Sequence, residues 1–354
     1  MATFDLATAS PHHKPGHVTL RIGVVEARFN VRVLMMAFAV LALLAVLAVF
    51  AMTRGSYRIP FVDVVKAVFG TGGDDQMFIV RTLRLPRVIC AMLIGACLAV
   101  AGAIFQGLVR NPLVSPDIIG IDTGATIMAV FWIVFGLSAS WLPFAAFLGA
   151  VLTAAIVYAL SWRQGISPNR LILVGIGVSA AISAGTTYIT VKFPIEQVRP
   201  AIVWTMGSIY GSNWGDVKLL LGFLAICLPL SVVLMWYLRA LQLGDDVARG
   251  LGLPLERTRL GLIVVGCALA AVSVSVAGPI GFVALMVPHM ARMLGGALSA
   301  SVMILTALMG SLFLLAADTV AQHFLPVSLP VGVVTAAVGA PYFLFLLYRS
   351  NVRM

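Results

Sequence analysis

Apolar segments of about twenty residues recur along nearly the whole chain and are separated by short polar segments. An α-helix rises ~1.5 Å per residue, so each segment is long enough to cross roughly 30 Å of hydrocarbon. The apolar spacing is helical rather than alternating, so no strand and no membrane β-barrel is expected. The pattern predicts ten spanning helices, at residues 31–52, 86–108, 118–137, 141–162, 170–191, 217–238, 260–277, 279–294, 298–320 and 329–348.

An even number of spans places both ends of the chain on one side of the membrane. Taking that side as the cytoplasm makes residues 1–30 and 350–354 cytoplasmic tails around one transmembrane domain, residues 31–349, with no cleavable signal peptide expected. Most arginines then lie inside, as positive-inside topology requires. The outer segment from Thr53 to Leu85 is an exception, because it is rich in basic residues. The other long outer segment, Lys192 to Gly215, is predicted to contain a short helix at the membrane surface.

Composition places the chain among membrane proteins. Of its 354 residues, 61% are hydrophobic and 10% charged, and the mean hydropathy is +1.06. No water-soluble domain of this size can bury so much apolar surface. The net charge of +10 comes mainly from arginines scattered at span ends, a pattern that suits lipid headgroups rather than nucleic acid.

The cysteines and the missing motifs narrow the chemistry. All four cysteines lie in apolar segments and are interpreted as small buried hydrophobic residues, so neither a metal nor a cofactor is expected: Cys90, Cys97, Cys227 and Cys267. The chain has no P-loop and no hydrolase motif, so it is not expected to be an enzyme or to hydrolyse ATP. Few ionisable residues lie deep in the spans, which disfavours a proton relay. These absences fit best with a helical transport pathway that a separate, energy-supplying protein opens and closes. A self-sufficient secondary transporter or channel is the rival hypothesis.

The polar segment at about residues 241–259 is the candidate binding site for such an energy-supplying protein. It carries both signs of charge on the predicted cytoplasmic side and is predicted to form two short helices with a turn at Gly250 to Pro254. A compact charged helix pair can sit in a groove of a soluble partner and pass a rigid-body movement to the spans. The alternative is a solvated loop without a partner.

Several motifs together resemble the FecCD family of permeases from ATP-binding-cassette importers. They occur in the family's order from Arg84 to the C-terminus: Arg84 to Arg87, Gly102 to Leu113, Asp245 to Arg259, Gly278 to Arg292, Ala316 to Asp318 and Leu329 to Thr335. The resemblance implies an all-α fold with ten spans, like that of the vitamin B12 permease in a type II importer. Details such as Ser115 to Asp117 and Gly244 to Asp246 are most similar to permeases for ferric enterobactin.

The family resemblance also implies partners and cargo. They comprise a second permease subunit, a paralogue rather than a copy, two cytoplasmic ATPases and a periplasmic siderophore-binding protein. The expected location is the bacterial inner membrane. The expected cargo is a ferric siderophore, with a catecholate such as ferric enterobactin favoured over haem and cobalamin.

Three groups of residues take their roles from this resemblance. Docking of the binding protein is assigned to Arg84, Arg87 and Gln322, where some relatives carry a third arginine at the position of Gln322. The cytoplasmic gate is assigned to Asn111, Pro112, Leu113, Pro168 and Asn169. Contact with the ATPase is assigned to Asp245, Asp246, Arg249, Gly250, Leu251, Gly252, Leu253 and Arg257.

Plainer interpretations of the same residues remain open. Pro86 can simply start a helix whose arginines reach toward lipid headgroups, and the two gate segments can be ordinary helix-ending turns. His289 and Asp318 are interpreted as satisfied structural groups rather than as ligands of cargo or metal.

Overall fold

The computed structural model of the protein describes residues 17–22, 25–163 and 165–351, and this part of the chain is overwhelmingly helical. The α-helices are α1 (Val31–Thr53), α2 (Phe61–Val68), α3 (Asp74–Phe78), α4 (Leu85–Val109), α5 (Ile121–Val134), α6 (Leu142–Ser161), α7 (Pro168–Lys192), α8 (Ile195–Thr205), α9 (Trp214–Gln242), α10 (Asp245–Gly250), α11 (Leu255–Ala277), α12 (Val283–Gly295), α13 (Ala300–His323) and α14 (Val331–Asn351). Short 3₁₀ helices form at Pro116–Ile119 and Ala139–Trp141, and a π-helix at Ile79–Arg84.

Each of the ten predicted spans contains a helix. Eight helical segments within the described residues are long and apolar enough to cross a membrane, whereas α5 has 14 residues and α12 has 13. Both shorter helices follow residues that a helix does not tolerate: Gly120 has φ 82° and Phe282 has φ 69°. The predicted membrane fold is therefore confirmed, with two spans shorter than their apolar segments.

The prediction that the chain contains no strand is wrong in the N-terminal segment. Strands β1 (His17–Ile22) and β2 (Val25–Asn30) pair antiparallel, with His17 opposite Asn30. The sequence of both strands alternates polar and apolar residues, which is the two-residue period of a strand, but the segment was grouped with the tail. Residues 1–16 of the predicted N-terminal tail and residues 352–354 of the C-terminal tail lie outside the described residues.

Asn30 joins the hairpin to the helical domain. Its side-chain oxygen accepts a hydrogen bond from the backbone N–H of Arg32 at 2.9 Å and so caps α1. Its own N–H donates to the hydroxyl of Ser301 in α13 at 3.0 Å.

Helix α4 is the centre of the domain. Its membrane-capable segment is 89% buried, and helices α9, α11, α12 and α13 pack against it. Small residues make this possible: a side chain on Gly95 would overlap the carbonyl of Gly310, and one on Gly102 would overlap the carbonyl of Ala284. Such contacts bring helix backbones together, which is how membrane helices gain van der Waals energy.

Helix α7 is the least buried of the eight membrane-capable segments. Only 6% of its apolar segment is buried, and its mean hydropathy of 1.7 is the lowest among the eight membrane-capable segments. Small and hydroxylated residues such as Ala180, Ser183, Ala184 and Thr187 lie on its exposed surface. A helix that is both exposed and weakly apolar is poorly suited to face lipid alone.

The two long outer segments of the prediction are ordered. The segment Lys192 to Gly215 contains α8, as predicted. The segment from Thr53 to Leu85 forms α2, α3 and the π-helix, and the run from Asp74 through Val109 is one continuous helical stretch of 36 residues. The π-helix lies just before Pro86, whose ring would clash with a carbonyl in a regular α-helix and whose nitrogen donates no hydrogen bond.

The glycine contact between α4 and α13 gives a test of the packing. We expect Gly310→Ala to destabilise the protein by about 1–3 kcal/mol, because the new methyl group meets backbone that has no free space to move into. Gly222→Ala in α9 is the matched control, since nothing lies within 4 Å of the added atom. Thermal unfolding in detergent measures both, and equal midpoints would contradict the close contact.

Candidate functional site

The predicted coupling segment forms one short helix rather than two. Helix α9 runs to Gln242, α10 covers Asp245–Gly250, and the second predicted helix is the first turn of the long α11. The chain turns where glycines adopt positive φ, at Gly244 (117°) and Gly252 (76°). Pro254 occupies the position just before α11, so the helix begins directly after the turn.

Arg259 connects α10 to the loop between α6 and α7. Its guanidinium donates to both carboxylate oxygens of Asp245, at 2.7 and 2.8 Å, and to the carbonyl of Ile166 at 2.7 Å. The Arg259 side chain is only 7% exposed. A buried charge of this kind requires such partners, so these contacts fix the position of α10 against the loop.

Two further residues extend this network. Glu256 accepts a hydrogen bond from the N–H of Ile166 at 3.1 Å, so Glu256 and Arg259 hold the same residue by both of its backbone groups. Arg110, directly after α4, donates to Asp245 at 3.0 Å. Burial alone would raise the pKa of Asp245, but the hydrogen bonds and charges of Arg259 and Arg110 outweigh it and lower that pKa. Asp245 is therefore charged at neutral pH, and its pairing is lost only as the pH falls through this lowered pKa.

The first predicted gate segment follows Arg110. This residue ends α4 in the left-handed conformation, with φ 59°. The Asn111 side chain accepts from the N–H of Leu113 at 2.9 Å, and Pro112 is exposed between them. The segment is thus a compact turn attached to Asp245 through Arg110.

The second predicted gate segment starts α7. Pro168 lies in its first turn and Asn169 is exposed. Arg170 donates to the carbonyls of Ser161 and Arg163, which closes the loop that Arg259 also holds. Helix α7 packs against the 3₁₀ helix that follows the first gate segment, because a side chain on Gly175 would overlap the carbonyl of Ile118.

A cavity of about 480 Å³ lies beside the first gate segment, with Arg110, Asn111 and Pro112 in its wall. Gln106 organises the opposite wall: it donates to the carbonyl of Leu285 at 2.8 Å and accepts from Arg292 at 2.6 Å. Gln106 therefore links α4 to the first and last turns of α12.

The exposed surface of α10 carries the remaining predicted coupling residues. Asp246 and Arg249 form an exposed ion pair at 3.5 Å, and Gly250, Leu251 and Arg257 are also exposed, while Gly252 and Leu253 complete the turn. Three large apolar residues in and beside α10 are also exposed: Leu243 (67%) just before the helix, Val247 (49%) within it and Leu251 (59%) directly after it. These apolar side chains, with charged neighbours, are not covered by any other part of the described chain.

At the opposite end of the domain, the predicted docking residues divide into two groups. Arg87 and Gln322 meet at Asp318: Arg87 donates to its two oxygens at 2.9 and 3.1 Å, and Gln322 donates at 2.6 Å. The Arg84 guanidinium instead donates to the carbonyls of Met52 and Tyr57, at the end of α1. Carbonyl partners leave its positive charge uncompensated, whereas Arg87 is paired with an acid.

A large cavity of about 1510 Å³ opens beside this cluster. Its walls include Arg87 and Gln322, the segment after α1, helix α8 and the segment between α13 and α14. The Arg87 guanidinium also lies 5.8 Å from the centre of the Tyr210 ring, which lines the same cavity. We call this cavity the outer vestibule.

Several of these residues could not be assigned from the sequence. Arg259, Glu256 and Arg110 lay at the margins of recognised motifs, and their roles depend on contacts between residues up to 135 positions apart. Asp318 was interpreted as a satisfied structural group, and its three hydrogen bonds confirm this. The four cysteines are buried and free, as interpreted. The described residues contain no group of three or more His, Cys, Asp or Glu that could hold a metal ion.

Known proteins share this arrangement of helices. The profile of the FecCD transport family matches residues 42–349. The chain is 42% identical over 341 residues to the probable siderophore transport system permease protein YfhA of Bacillus subtilis (strain 168), covering 94% of this chain and 99% of the relative. It is 37% identical over 322 residues to the ferric enterobactin transport system permease protein FepG of Escherichia coli (strain K12), covering 90% and 97%.

A solved structure agrees with the sequence comparisons. It is an inward-facing conformation assigned to the metal-chelate type of ABC transporter, and it superposes with a TM-score of 0.81 at 32% identity, covering 89% of this chain and 99% of that chain.

The contacts of Arg259 predict a measurable change when it is replaced. Arg259→Gln removes the ion pair to Asp245 and weakens the hold on Ile166, each of which contributes roughly 1 kcal/mol. We expect hydrogen exchange at neutral pH to accelerate by about tenfold in both α10 and residues 165–167. Arg257→Gln, an exposed change two positions away, should leave both segments unchanged, and faster exchange in α10 alone would show that the loop is not held by Arg259.

Proposed function

The chain belongs to the FecCD transport family, and from that premise we propose that it is a permease subunit of an ATP-driven importer that moves a ferric siderophore across the bacterial inner membrane. The observation that carries the proposal is the Asp245–Arg259–Ile166 network. Together with the Arg110–Asp245 bond, it joins an exposed charged helix to residues that adjoin both candidate gate segments. The α10 end would face the cytoplasm, with both chain termini, and the vestibule would face the periplasm.

Contact with a cytoplasmic ATPase is supported by the surface of α10. The exposed side chains of Leu243, Val247 and Leu251 supply apolar area, and the Asp246–Arg249 pair supplies charge of both signs beside them. This combination fits a groove with an apolar floor and a polar rim, the usual anatomy of a protein interface. The ATPase, and not this chain, would hydrolyse ATP.

Movement of α10 would reach the gates by two direct routes. One runs from Asp245 to Arg110, which is adjacent to the Asn111–Pro112–Leu113 turn. The other runs from Asp245 through Arg259 to Ile166, two residues before Pro168. Because these bonds involve charged groups, a rigid-body shift of α10 would displace both turns together rather than break their contacts. Alternating access follows if the displacement opens this end while the vestibule end closes.

A second permease subunit is supported by the exposure of α7. Its exposed small and hydroxylated residues, including Ser183 and Thr187, suit either close helix packing or a water-filled pathway between two subunits. Thr187 donates to the carbonyl of Ser183 at 2.9 Å, so its hydroxyl is satisfied without a partner chain. We propose a paralogue as the second subunit.

The cargo is proposed as a ferric siderophore, with a catecholate favoured. Two of the reported relatives are named for siderophore and for ferric enterobactin transport. The vestibule volume of about 1510 Å³ exceeds that of common small-ligand sites, roughly 300–1000 Å³. A bulky chelate would fit such a space.

A reconstituted complex tests this function. The chain is reconstituted in proteoliposomes with the second permease subunit and the ATPase, and the binding protein is added. Uptake of radioactive iron as a ferric siderophore is then followed. We expect uptake only when ATP, the ATPase and the binding protein are all present. Uptake by the permease subunits alone would instead identify a secondary transporter or channel and refute the coupling role of α10.

Docking of the binding protein is proposed at Arg84, Arg87 and Gln322. Replacing Arg87 alone would leave the charge of Asp318 unpaired. The test variant therefore combines Arg87→Gln with Asp318→Asn and adds Arg84→Gln. We expect the affinity for the binding protein to fall by about tenfold at low salt, since each lost charge contact contributes roughly 0.2–1 kcal/mol. A binding titration measures this, and unchanged affinity in a variant of native thermal stability would remove the docking assignment.

A further inference from the structure

The charge of the outer vestibule is strongly one-sided. Four arginines line it, and none of its lining residues is an aspartate or a glutamate: Arg54, Arg58, Arg87 and Arg199. They come from separate elements, because two follow α1, one is in the first turns of α4 and one is in α8. Positive charge is therefore distributed around the cavity and not confined to one wall.

Three of these charges have no acidic partner. Arg87 is compensated by Asp318 at 2.9 Å. The Arg54 guanidinium lies 5.1 Å from the centre of the Phe50 ring, a contact that leaves its charge intact. Within the described residues, no carboxylate lies within ion-pair distance of Arg54, Arg58 or Arg199. A cleft lined by charges of one sign raises the local concentration of ions of the opposite sign.

The base of the vestibule is tightly packed. Ser208 donates its N–H to the carbonyl of Ala277 at 2.7 Å, and Gly332 donates to the carbonyl of Gly207 at 3.1 Å. Side chains at Gly207 and Gly278 would overlap the neighbouring backbone, so this junction has no free space. The vestibule therefore does not continue through this junction.

We propose that the outer vestibule binds chelates of net negative charge and thereby restricts the cargo to anionic ferric complexes. This deepens the proposed function and rests on it. An anion is drawn into a cationic cleft with low-dielectric walls, while a neutral complex of equal size gains nothing from these charges. Arg54, Arg58 and Arg199 are not among the proposed docking residues, and they line a recess too small to admit a folded domain. For these three charges a small anionic occupant is favoured over the acidic surface of a binding protein.

The charge preference can be measured without transport. The probe is a trisulfonated pyrene dye, whose binding to the detergent-solubilised complex is followed by fluorescence polarisation. Replacing Arg54, Arg58 and Arg199 together by glutamine is expected to weaken binding by about tenfold, at the lower end of the effect of a focused field. The same three positions replaced by lysine should keep nearly native affinity, because the charge is retained.

A matched control separates the vestibule from general surface charge. Lys66, Lys192 and Lys218 are at the same end of the domain but do not line the cavity. Replacing these three by glutamine removes an equal charge and should change dye binding little. Equal weakening by both triple variants, or no weakening by either, would overturn the proposal.

A transport assay tests whether the charge of the vestibule affects cargo uptake. Uptake of a ferric tris-catecholate, a polyanion, is compared with that of a neutral ferric tris-hydroxamate in the reconstituted complex. The arginine-to-glutamine variant should lose about tenfold of the catecholate uptake at unchanged affinity for the binding protein. A loss explained wholly by weaker binding-protein affinity would assign the arginines to docking and refute the vestibule role.

The two hypotheses fail in different ways. If the unaltered complex imports neither chelate, the proposed siderophore function is wrong, and the dye titration still decides the charge preference. If the complex imports both chelates equally and the glutamine variant changes neither, the siderophore function stands and the anion-selective vestibule is refuted.

Discussion

The close backbone packing of α4 is the constraint on which the rest of the structure depends. Gly95 and Gly102 allow α13 and α12 to approach the helix so closely that no side chain fits between them. Helix α4 therefore behaves as a central rod enclosed by other helices. Arg87 lies near one end of this rod and Arg110 directly after the other. Every charged contact described at the two ends of the domain is positioned, directly or through a neighbour, relative to this helix.

The two ends differ in how they use charge. In the network at the α10 end, the two arginines Arg110 and Arg259 are matched by the two acids Asp245 and Glu256. Their hydrogen bonds join separate segments into one mechanical unit. At the vestibule end, one acid, Asp318, serves several donors while other arginines remain uncompensated. Matched charge holds parts together, whereas unmatched charge is available to a ligand. This difference is the physical basis for assigning transmission to one end and cargo selection to the other.

Much of the fold could be predicted from the sequence, because long apolar segments leave few choices in lipid. Each of the ten expected spans contains a helix, and α8 lies where a short helix was predicted. The hairpin was missed although its residues alternate, since a polar tail gave no reason to look for strands. The shortening of α5 and α12 was missed because apolarity does not reveal left-handed residues such as Phe282. The site was predicted as a set of segments, but the function of Arg259 arises only from long-range contacts that no spacing encodes.

The burial of all four thiols bears on how the moving parts can be observed. Cys90, Cys97, Cys227 and Cys267 are each less than 9% exposed, and none lies in the gate turns, α10 or the vestibule wall. Polar maleimide reagents will therefore react slowly with the native chain. A spin label or a fluorophore can be attached to a cysteine introduced at a solvent-facing position, with the natural sulfur atoms left in place. Distances between the two ends of the permease become accessible to spectroscopy in an otherwise unaltered protein.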